Sequence, residues 1–278
     1  MARPRMRVVD ADRFDAVVAE DLLMRMRAIV EDRGRVVVTL PFGRSPTGLY
    51  RQWTQADHDW SRVVFVSGDE YLGLGADDAD SGAAYLLANL IEPLLTRGEP
   101  SRQLRRDHVR LLDGRADPET EAREHEAFIA SHGGIDIGLL GVGSGPAWGS
   151  YRRYRWLRAL PGGGALVARF AGRTSSPHLW FNESGSSFAS RTRAVQLSPH
   201  TRRANGLPCE RALTLGLQNV AEAREIVLLA TGPGKRSALD LMLAGPVSES
   251  VPVSLLGRPD VAPRVVVYAD REAAHGLE

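Results

Sequence analysis

The sequence predicts an α/β protein with a parallel sheet and helices on both of its faces. Short runs rich in β-branched residues alternate with segments of helical apolar spacing over nearly the whole chain. This alternation is typical of parallel strands joined by crossover helices. The chain has 278 residues and is 43% hydrophobic, so it can bury the core of one large α/β domain or of two small ones.

The periodicity of apolar residues predicts the elements in order. Strands are expected over residues 35–40, 63–66, 135–140, 225–231 and 264–268. Helices are expected over residues 12–33, 83–95, 119–131 and 212–223, and from residues 49 and 235 onward. Ligands of parallel sheets bind outside the carboxyl ends of the strands. Because the polar clusters of this chain directly follow its predicted strands, we expect one composite site.

Charge and cysteine content exclude several classes of protein. The net charge of +1 gives no sign of a nucleic-acid or membrane partner. No segment approaches the roughly 18 apolar residues of a membrane span, and the basic amino terminus lacks the apolar run of a secretory signal. Cys209 is the one cysteine, and no set of His, Asp and Glu has metal-binding spacing. We expect a cytoplasmic protein without a metal, whose histidines other than His178 lie at the surface.

The stretch from His178 to Arg193 contains the most chemistry. It places an imidazole at His178 and a carboxylate at Glu183, followed by several hydroxyls and two arginines. General acid–base chemistry needs a group that titrates near neutral pH and a partner that orients it. The stretch therefore predicts a proton-transfer site beside an anion site. The alternative is an ordinary surface loop.

Two segments have the features of a phosphate site. In the loop 41–48, Gly43 permits a close approach, Ser45 and Thr47 supply hydroxyls, and the following helix supplies free amides. Lys235 is the only lysine among 35 cationic residues, and it follows a strand and a glycine-rich turn at the start of a helix. The loop lacks the spacing of a nucleotide P-loop, so ATP is not expected. A plain turn and a lysine kept by chance are the alternatives.

Adjacent carboxylates at Asp69 and Glu70 follow another predicted strand. Neighbouring side chains cannot both point the same way, so one can enter a site while the other packs or caps. Asp69 is the candidate base for removing a proton next to a carbonyl, and a solvated acidic turn is the alternative. The run Gly141–Gly145 resembles a dinucleotide-binding motif only loosely, since Pro146 stands in place of the third glycine, and NAD is not expected.

Residues 146–177 differ in composition from the rest of the chain. They contain six arginines, no acidic residue and three consecutive glycines. We interpret this segment as an insertion, either a mobile lid or a flap over the site. A translated stretch of non-native sequence would have a similar composition, and this alternative stays open.

In this order, the motifs resemble those of the glucosamine-6-phosphate deaminase family, which is grouped with 6-phosphogluconolactonases in a modified Rossmann-like sandwich fold. The resemblance covers most of residues 8–275 apart from the inserted segment. The Phe-Asn-Glu element favours the deaminase branch over the lactonase branch. The motifs that carry the resemblance are Asp69–Gly73, Phe181–Ser187, Ser190–Arg193, Thr201–Asn205 and Ala230–Lys235.

The resemblance implies a single sugar-phosphate isomerase/deaminase-like domain over residues 1–278 that needs no cofactor. The implied reaction converts glucosamine 6-phosphate to fructose 6-phosphate and ammonia, so the implied partner is a small sugar phosphate. The oligomeric state is left open, a homo-oligomer included. In this family Asp69 corresponds to the base that moves a proton between C2 and C1, His178 to the ring-opening group and Glu183 to its orienting carboxylate. The implied phosphate-binding residues are Gly43, Arg44, Ser45, Thr47 and Lys235.

The chain departs from the family pattern at three places. The family's Gly-x-Gly-x-Asp-Gly-His run contains an aspartate that partners the histidine, and here Gly145 or Ser176 stands in its place. The insertion separates the glycine turn from His178, and Leu207 stands roughly where the family has a phosphate-binding arginine. Two alternatives to an active deaminase follow: a sugar-phosphate-binding relative with impaired catalysis, and a 6-phosphogluconolactonase-like hydrolase.

Overall fold

The computed structural model describes residues 3–43, 45–144, 166, 177–206 and 208–277. The predictions made for Arg44, for Leu207 and for most of the inserted segment lie outside the described residues. The same holds for Gly145 and Ser176, the two positions considered for the missing aspartate. The single domain over residues 1–278 stays a prediction.

Ten strands form two sheets in the described part of the chain. The larger sheet has seven strands in the order β1-β10-β9-β6-β2-β3-β5, and all of its pairs are parallel. The smaller sheet is antiparallel, in the order β4-β8-β7. The predicted parallel-sheet α/β fold is therefore confirmed. The strands are β1 (Arg5–Val9), β2 (Val36–Leu40), β3 (Val63–Ser67), β4 (Asp69–Tyr71), β5 (Val109–Arg110), β6 (Ile137–Gly141), β7 (Arg193–Gln196), β8 (Arg211–Thr214), β9 (Glu225–Ala230) and β10 (Val265–Asp270).

Helices connect the strands. The helix predicted over residues 83–95 consists of α3, a π-helical turn (Leu87–Ile91) and α4, and the π turn lies just before Pro93, which has no N–H to donate to the helix. Short 3₁₀ turns cover Pro100–Arg102, Arg106–His108, Pro233–Lys235, Pro252–Gly257 and Ala262–Arg264. The described α-helices are α1 (Phe14–Arg33), α2 (Thr47–Gln55), α3 (Gly82–Leu86), α4 (Glu92–Thr96), α5 (Pro118–Ser131), α6 (Pro199–Asn205), α7 (Leu217–Glu222), α8 (Arg236–Ala244) and α9 (Arg271–Ala274).

Alternate residues of the central strands contribute to two separate cores. In β2, Val37 belongs to one core cluster, whereas Val36 and Val38 belong to the other. Helices α5, α7, α8 and α9 pack into the first cluster and α1 to α4 into the second. The predicted helices on both faces are therefore confirmed. Because these strands are buried on both faces, their sequences are nearly continuous apolar runs, which made them recognisable.

Two of the sequence-based expectations are wrong. Residues 212–223 do not form one helix, because strand β8 ends at Thr214 and α7 begins at Leu217. The run Ala212–Leu215 is short and largely apolar, and the pattern of such a run does not distinguish a buried strand from a helix. His58 and His125 are not at the surface, since their exposed fractions are 6% and 0%.

His125 ties helix α5 to the end of strand β3. Its Nε2 lies 3.0 Å from the carbonyl oxygen of Ser67, and its Nδ1 is buried without a partner among the described residues. Burial, and secondly the charge of Arg110, lower the pKa of His125 from 6.5 to about 4. The imidazole is therefore neutral in the folded protein over most of the working pH range.

We expect this histidine to make folding sensitive to acid. The unfolded chain takes up a proton below pH 6.5 and the folded chain only near pH 4, so the contribution of His125 is present above pH 6.5 and lost as the pH falls toward 4. Relative to a His125→Gln variant, wild-type stability should fall by about 2 kcal/mol between pH 7.5 and pH 5. Urea unfolding at the two pH values measures this difference. His58 is unchanged in both proteins and cancels, so an equal pH dependence in the two would contradict the expectation.

Candidate active site

A cavity of about 500 Å³ opens at the carboxyl ends of strands β2 and β6. Strands β3 and β5 lie on one side of β2, whereas β6, β9, β10 and β1 lie on the other. The chain passes from β2 to β3 and β5 on one side and then crosses back to β6 on the other, so β2 and β6 flank a topological switch point. Such a switch point is where parallel sheets form a ligand crevice. Five of the predicted site residues line the cavity: Gly43, Ser45, Asp69, His178 and Lys235.

The loop after β2 forms one wall of the cavity. Gly43 has a φ of 114°, a conformation that favours glycine over any residue with a side chain. The Thr47 hydroxyl donates to the Gly43 carbonyl at 3.1 Å and is 2.7 Å from the Tyr85 hydroxyl, which also donates to that carbonyl. Thr47 thus holds the loop in shape from the start of α2, while Gly43 and Ser45 border the cavity.

Lys235 borders the cavity from the end of strand β9. The turn before it is fixed by Asp270, whose Oδ2 accepts a hydrogen bond from the Gly232 N–H at 2.7 Å. The neighbouring turn after β6 supplies Ser144, whose Oγ would lie 3.5 Å from a β-carbon on Gly234. Lys235 precedes α8 directly. An ammonium, a hydroxyl and loop amides at the ends of adjacent strands can bind a phosphate.

Asp69 is the buried carboxyl of the cavity. It begins strand β4, its exposed fraction is 7%, and its Oδ1 has no hydrogen-bond partner among the described residues. Burial, and secondly the neighbouring Glu70 carboxylate, hold the pKa of Asp69 well above its ordinary value. A carboxyl group with a raised pKa is a stronger base than an ordinary one, which suits proton removal in general acid–base catalysis.

Glu70 turns away from the cavity and caps helix α3. Its carboxylate accepts four hydrogen bonds, from the N–H groups of Tyr71 at 2.7 Å, Gly82 at 3.0 Å and Ala83 at 2.7 Å and from the Ser81 hydroxyl at 2.7 Å. Burial nevertheless raises the pKa of Glu70. Of the two neighbouring carboxylates, Asp69 therefore lines the cavity and Glu70 caps a helix. The role of Asp69 as the base stays a prediction.

His178 borders the cavity beside the glycine turn that follows β6. The Gly143 N–H donates to the His178 carbonyl at 2.9 Å, which joins the two sides of the inserted segment. The His178 side chain is half-buried and lines the same cavity as Asp69 and Lys235. The segment that the sequence analysis interprets as an insertion therefore does not move His178 away from the turn.

Glu183 holds the segment around Ser198 and Thr201. Its carboxylate accepts hydrogen bonds from the Ser198 N–H at 2.6 Å, from the Ser198 hydroxyl at 2.8 Å and from the Thr201 hydroxyl. These bonds hold the start of helix α6, whose residues His200 and Thr201 line the cavity. The role of Glu183 as the orienting partner of His178 stays a prediction.

Asp136 is not available as a replacement for the missing aspartate. It lies just before β6, at the opposite end of that strand from the cavity. Its carboxylate accepts a hydrogen bond from the Val37 N–H at 2.8 Å and forms ion pairs with Arg33 and Arg224, both at 3.1 Å. Asp136 therefore stabilises the amino end of the sheet.

The cavity contains polar and aromatic residues that the sequence did not single out as site residues, namely Tyr71, Asp80, Ser144, Trp180, His200 and Thr201. Most of them lie inside or next to the motifs already described, and their position next to predicted site residues is the only signal that could have revealed them. No group of three or more His, Cys, Asp or Glu side chains in the described ranges could hold a metal ion. Within the same ranges, no helix is long and apolar enough to cross a membrane.

Comparison with known proteins supplies relatives along most of the chain. Residues 9–145 match the family described as glucosamine-6-phosphate isomerases/6-phosphogluconolactonase. The glucosamine-6-phosphate deaminase of Streptococcus gordonii is 31% identical over 253 residues, which are 88% of each chain. That of Shouchella clausii is 30% identical over 258 residues, 88% of this chain and 87% of the relative.

Solved structures agree with this similarity. A monomeric glucosamine-6-phosphate deaminase is 28% identical and superposes with a TM-score of 0.73, covering 97% of this chain and 98% of the other. The 6-phosphogluconolactonase of Thermotoga maritima superposes with a TM-score of 0.68 at 18% identity, covering 96% and 100% of the two chains. The likeness to the lactonase shows the fold alone.

Proposed function

We propose that this chain, which belongs to the glucosamine-6-phosphate isomerase/6-phosphogluconolactonase family, is an enzyme. The proposed reaction converts glucosamine 6-phosphate and water to fructose 6-phosphate and ammonia. The observation that carries the proposal is one cavity lined by a buried carboxyl, an imidazole and an ammonium: Asp69, His178 and Lys235. The relatives at about 30% identity are named as deaminases, which supports the same reaction.

The proposed reaction needs the sugar phosphate in one orientation, which the lining of the cavity supports. The phosphate binds at Lys235 and the loop of Gly43 and Ser45, where cationic and hydrogen-bonding groups meet. The sugar carbons then extend toward Asp69 and His178. His178 moves the proton between the C1 hydroxyl and the ring oxygen, which opens the ring and produces the aldehyde.

Asp69 carries the second proton transfer. Its carboxylate removes the proton from C2 of the open chain and returns it to C1. A second proton passes from the amino nitrogen to the aldehyde oxygen, so the amino aldehyde becomes an imine at C2 with a hydroxyl at C1. Water adds to C2 and ammonia leaves, which gives fructose 6-phosphate. The raised pKa of Asp69 suits both halves of this transfer, since the group must hold the proton between the two carbons.

The direct test is to measure ammonia and fructose 6-phosphate from glucosamine 6-phosphate in matched assays of the wild type and a His178→Ala variant. Equal amounts of both products, lost in the variant, are expected. If neither product forms but a sugar phosphate still raises the melting temperature, the chain is a binding relative. Hydrolysis of 6-phosphogluconolactone, without ammonia release, would assign it to the lactonase alternative.

Lys235 is expected to supply most of the charge that holds the phosphate. Replacing it with alanine should raise KM by about 10-fold to 100-fold, because hydrogen bonds to charged groups contribute about 1.5–3 kcal/mol. Steady-state kinetics with glucosamine 6-phosphate measure the change. Lys235→Arg is the matched control, since it keeps the charge and should recover part of the affinity. An unchanged KM in Lys235→Ala would place the phosphate elsewhere.

A further inference from the structure

Trp180 has an unusual backbone conformation for a residue inside a core. Its φ of 49° lies in the left-handed region, and it is the only non-glycine residue with a positive φ among those described. The conformation belongs to a tight turn in which the Asn182 N–H donates to the Leu179 carbonyl at 3.0 Å. A bulky residue held in this region costs free energy, so the turn places the indole ring at a cost in stability.

The turn places the indole ring against Gly68. The exposed fraction of Trp180 is 5%, and a β-carbon added to Gly68 would lie 2.1 Å from Trp180 Nε1. The backbone of Gly68 is also fixed, because its N–H donates to the Leu40 carbonyl at 3.0 Å and its carbonyl accepts from the Leu215 N–H at 2.8 Å. The indole N–H is therefore held beside the residue that directly precedes Asp69.

Two complementary polar atoms of the residues around Gly68 lack a hydrogen-bond partner among the described residues. Trp180 Nε1 is a buried donor and Asp69 Oδ1 a buried acceptor, and neither forms a hydrogen bond among the described residues. Both residues line the same cavity, and the α-carbons of Gly68 and Asp69 are about 3.8 Å apart, as in any trans peptide. A buried polar atom left unpaired is costly, so a rotation of the Asp69 side chain that pairs these two atoms is favourable.

We propose that Trp180 is a positioning residue for Asp69, and that its indole N–H donates a hydrogen bond to the Asp69 carboxylate when that group is ionised. The bond stabilises the charged form of the base and fixes the direction of its free oxygen toward the substrate. The hydrogen bond forms when Asp69 loses its proton and weakens when Asp69 gains it. Since N–H donation to a carboxylate is stronger than to a neutral carboxyl, the pairing depends on pH.

A double-mutant cycle in stability tests the pairing without any turnover. The four proteins are the wild type, Trp180→Phe, Asp69→Asn and the double variant, each unfolded in urea at about pH 8 and about pH 5.5. At the higher pH the two substitutions should be non-additive by about threefold or more in the folding equilibrium constant, and the coupling should shrink at the lower pH. Additive effects at both pH values would overturn the proposal.

Trp53→Phe is the matched control for this cycle. Trp53 is fully buried, its Nε1 also lacks a partner among the described residues, and it belongs to the other core cluster. It should show no coupling to Asp69 at either pH. If Trp180→Phe does not fold, the pH titration of tryptophan emission in the wild type and in Asp69→Asn replaces the cycle. A titration step lost in Asp69→Asn supports the pairing, and identical curves overturn it.

The kinetic readout rests on the proposed function. Trp180→Phe removes a donor that favours the carboxylate, so the acidic limb of the kcat/KM profile should move upward by about half a pH unit or more. A residue that only lines the cavity would change KM and leave the pH dependence of kcat/KM unchanged. Because the stability cycle needs no substrate, its failure is distinct from a failure of the deaminase assignment.

Discussion

Replacing Asp69 with asparagine is expected to lower kcat for glucosamine 6-phosphate by a factor of about 10² to 10⁴, the range for removal of a general acid or base. The substitution keeps the shape of the side chain and removes its ability to carry a proton. The same change should raise the free energy of unfolding at about pH 8. Asp69 is buried beside the Glu70 carboxylate, and burial of a charge next to a like charge is unfavourable.

Steady-state kinetics and urea unfolding on the same preparations separate the two effects. Asp80→Asn is the matched control, because Asp80 lines the same cavity but is exposed at its rim. That variant should retain most of the turnover and gain no stability. An Asp69→Asn protein with full deaminase turnover would remove Asp69 from the mechanism, and retained lactone hydrolysis would indicate a reaction that needs no base at C2.

Replacing Glu70 with alanine is expected to lower the free energy of unfolding by about 3–5 kcal/mol, because it leaves buried donors without an acceptor. Glu70 is 1% exposed and accepts four hydrogen bonds, three of them from the start of helix α3. Urea unfolding gives the change directly. The control is Glu70→Gln, which keeps one acceptor oxygen and should lose distinctly less. A loss below about 1 kcal/mol for alanine would show that water replaces the carboxylate.

These two neighbours illustrate what the sequence could predict. Alternation along an extended chain predicted that at most one carboxylate would enter a site while the other packs or caps. In the structure Asp69 lines the cavity and Glu70 caps a helix. The central strands were also predictable, because strands buried on both faces are apolar throughout. Strands β4 and β7 were not, since three or four residues of mixed polarity become strands only through pairing with β8.

The contacts of Glu183 depend on the tertiary fold in the same way. Its position five residues after His178 suggested an orienting partner, but its carboxylate also holds Ser198 and Thr201, which are 15 and 18 residues away along the chain. Local spacing does not reveal such contacts. The left-handed turn at Trp180 was equally hidden, because neither glycine nor asparagine occupies its left-handed position.

The hydrogen bond between the Gly143 N–H and the His178 carbonyl has a consequence for how this chain could change over time. It joins the chain directly on the two sides of the segment that the sequence analysis interprets as an insertion. The entropic cost of joining two points of a chain rises by only about 0.6 kcal/mol for each doubling of the number of residues between them. Sequence can therefore be gained or lost between these residues at little cost in stability, while His178 keeps its place at the cavity.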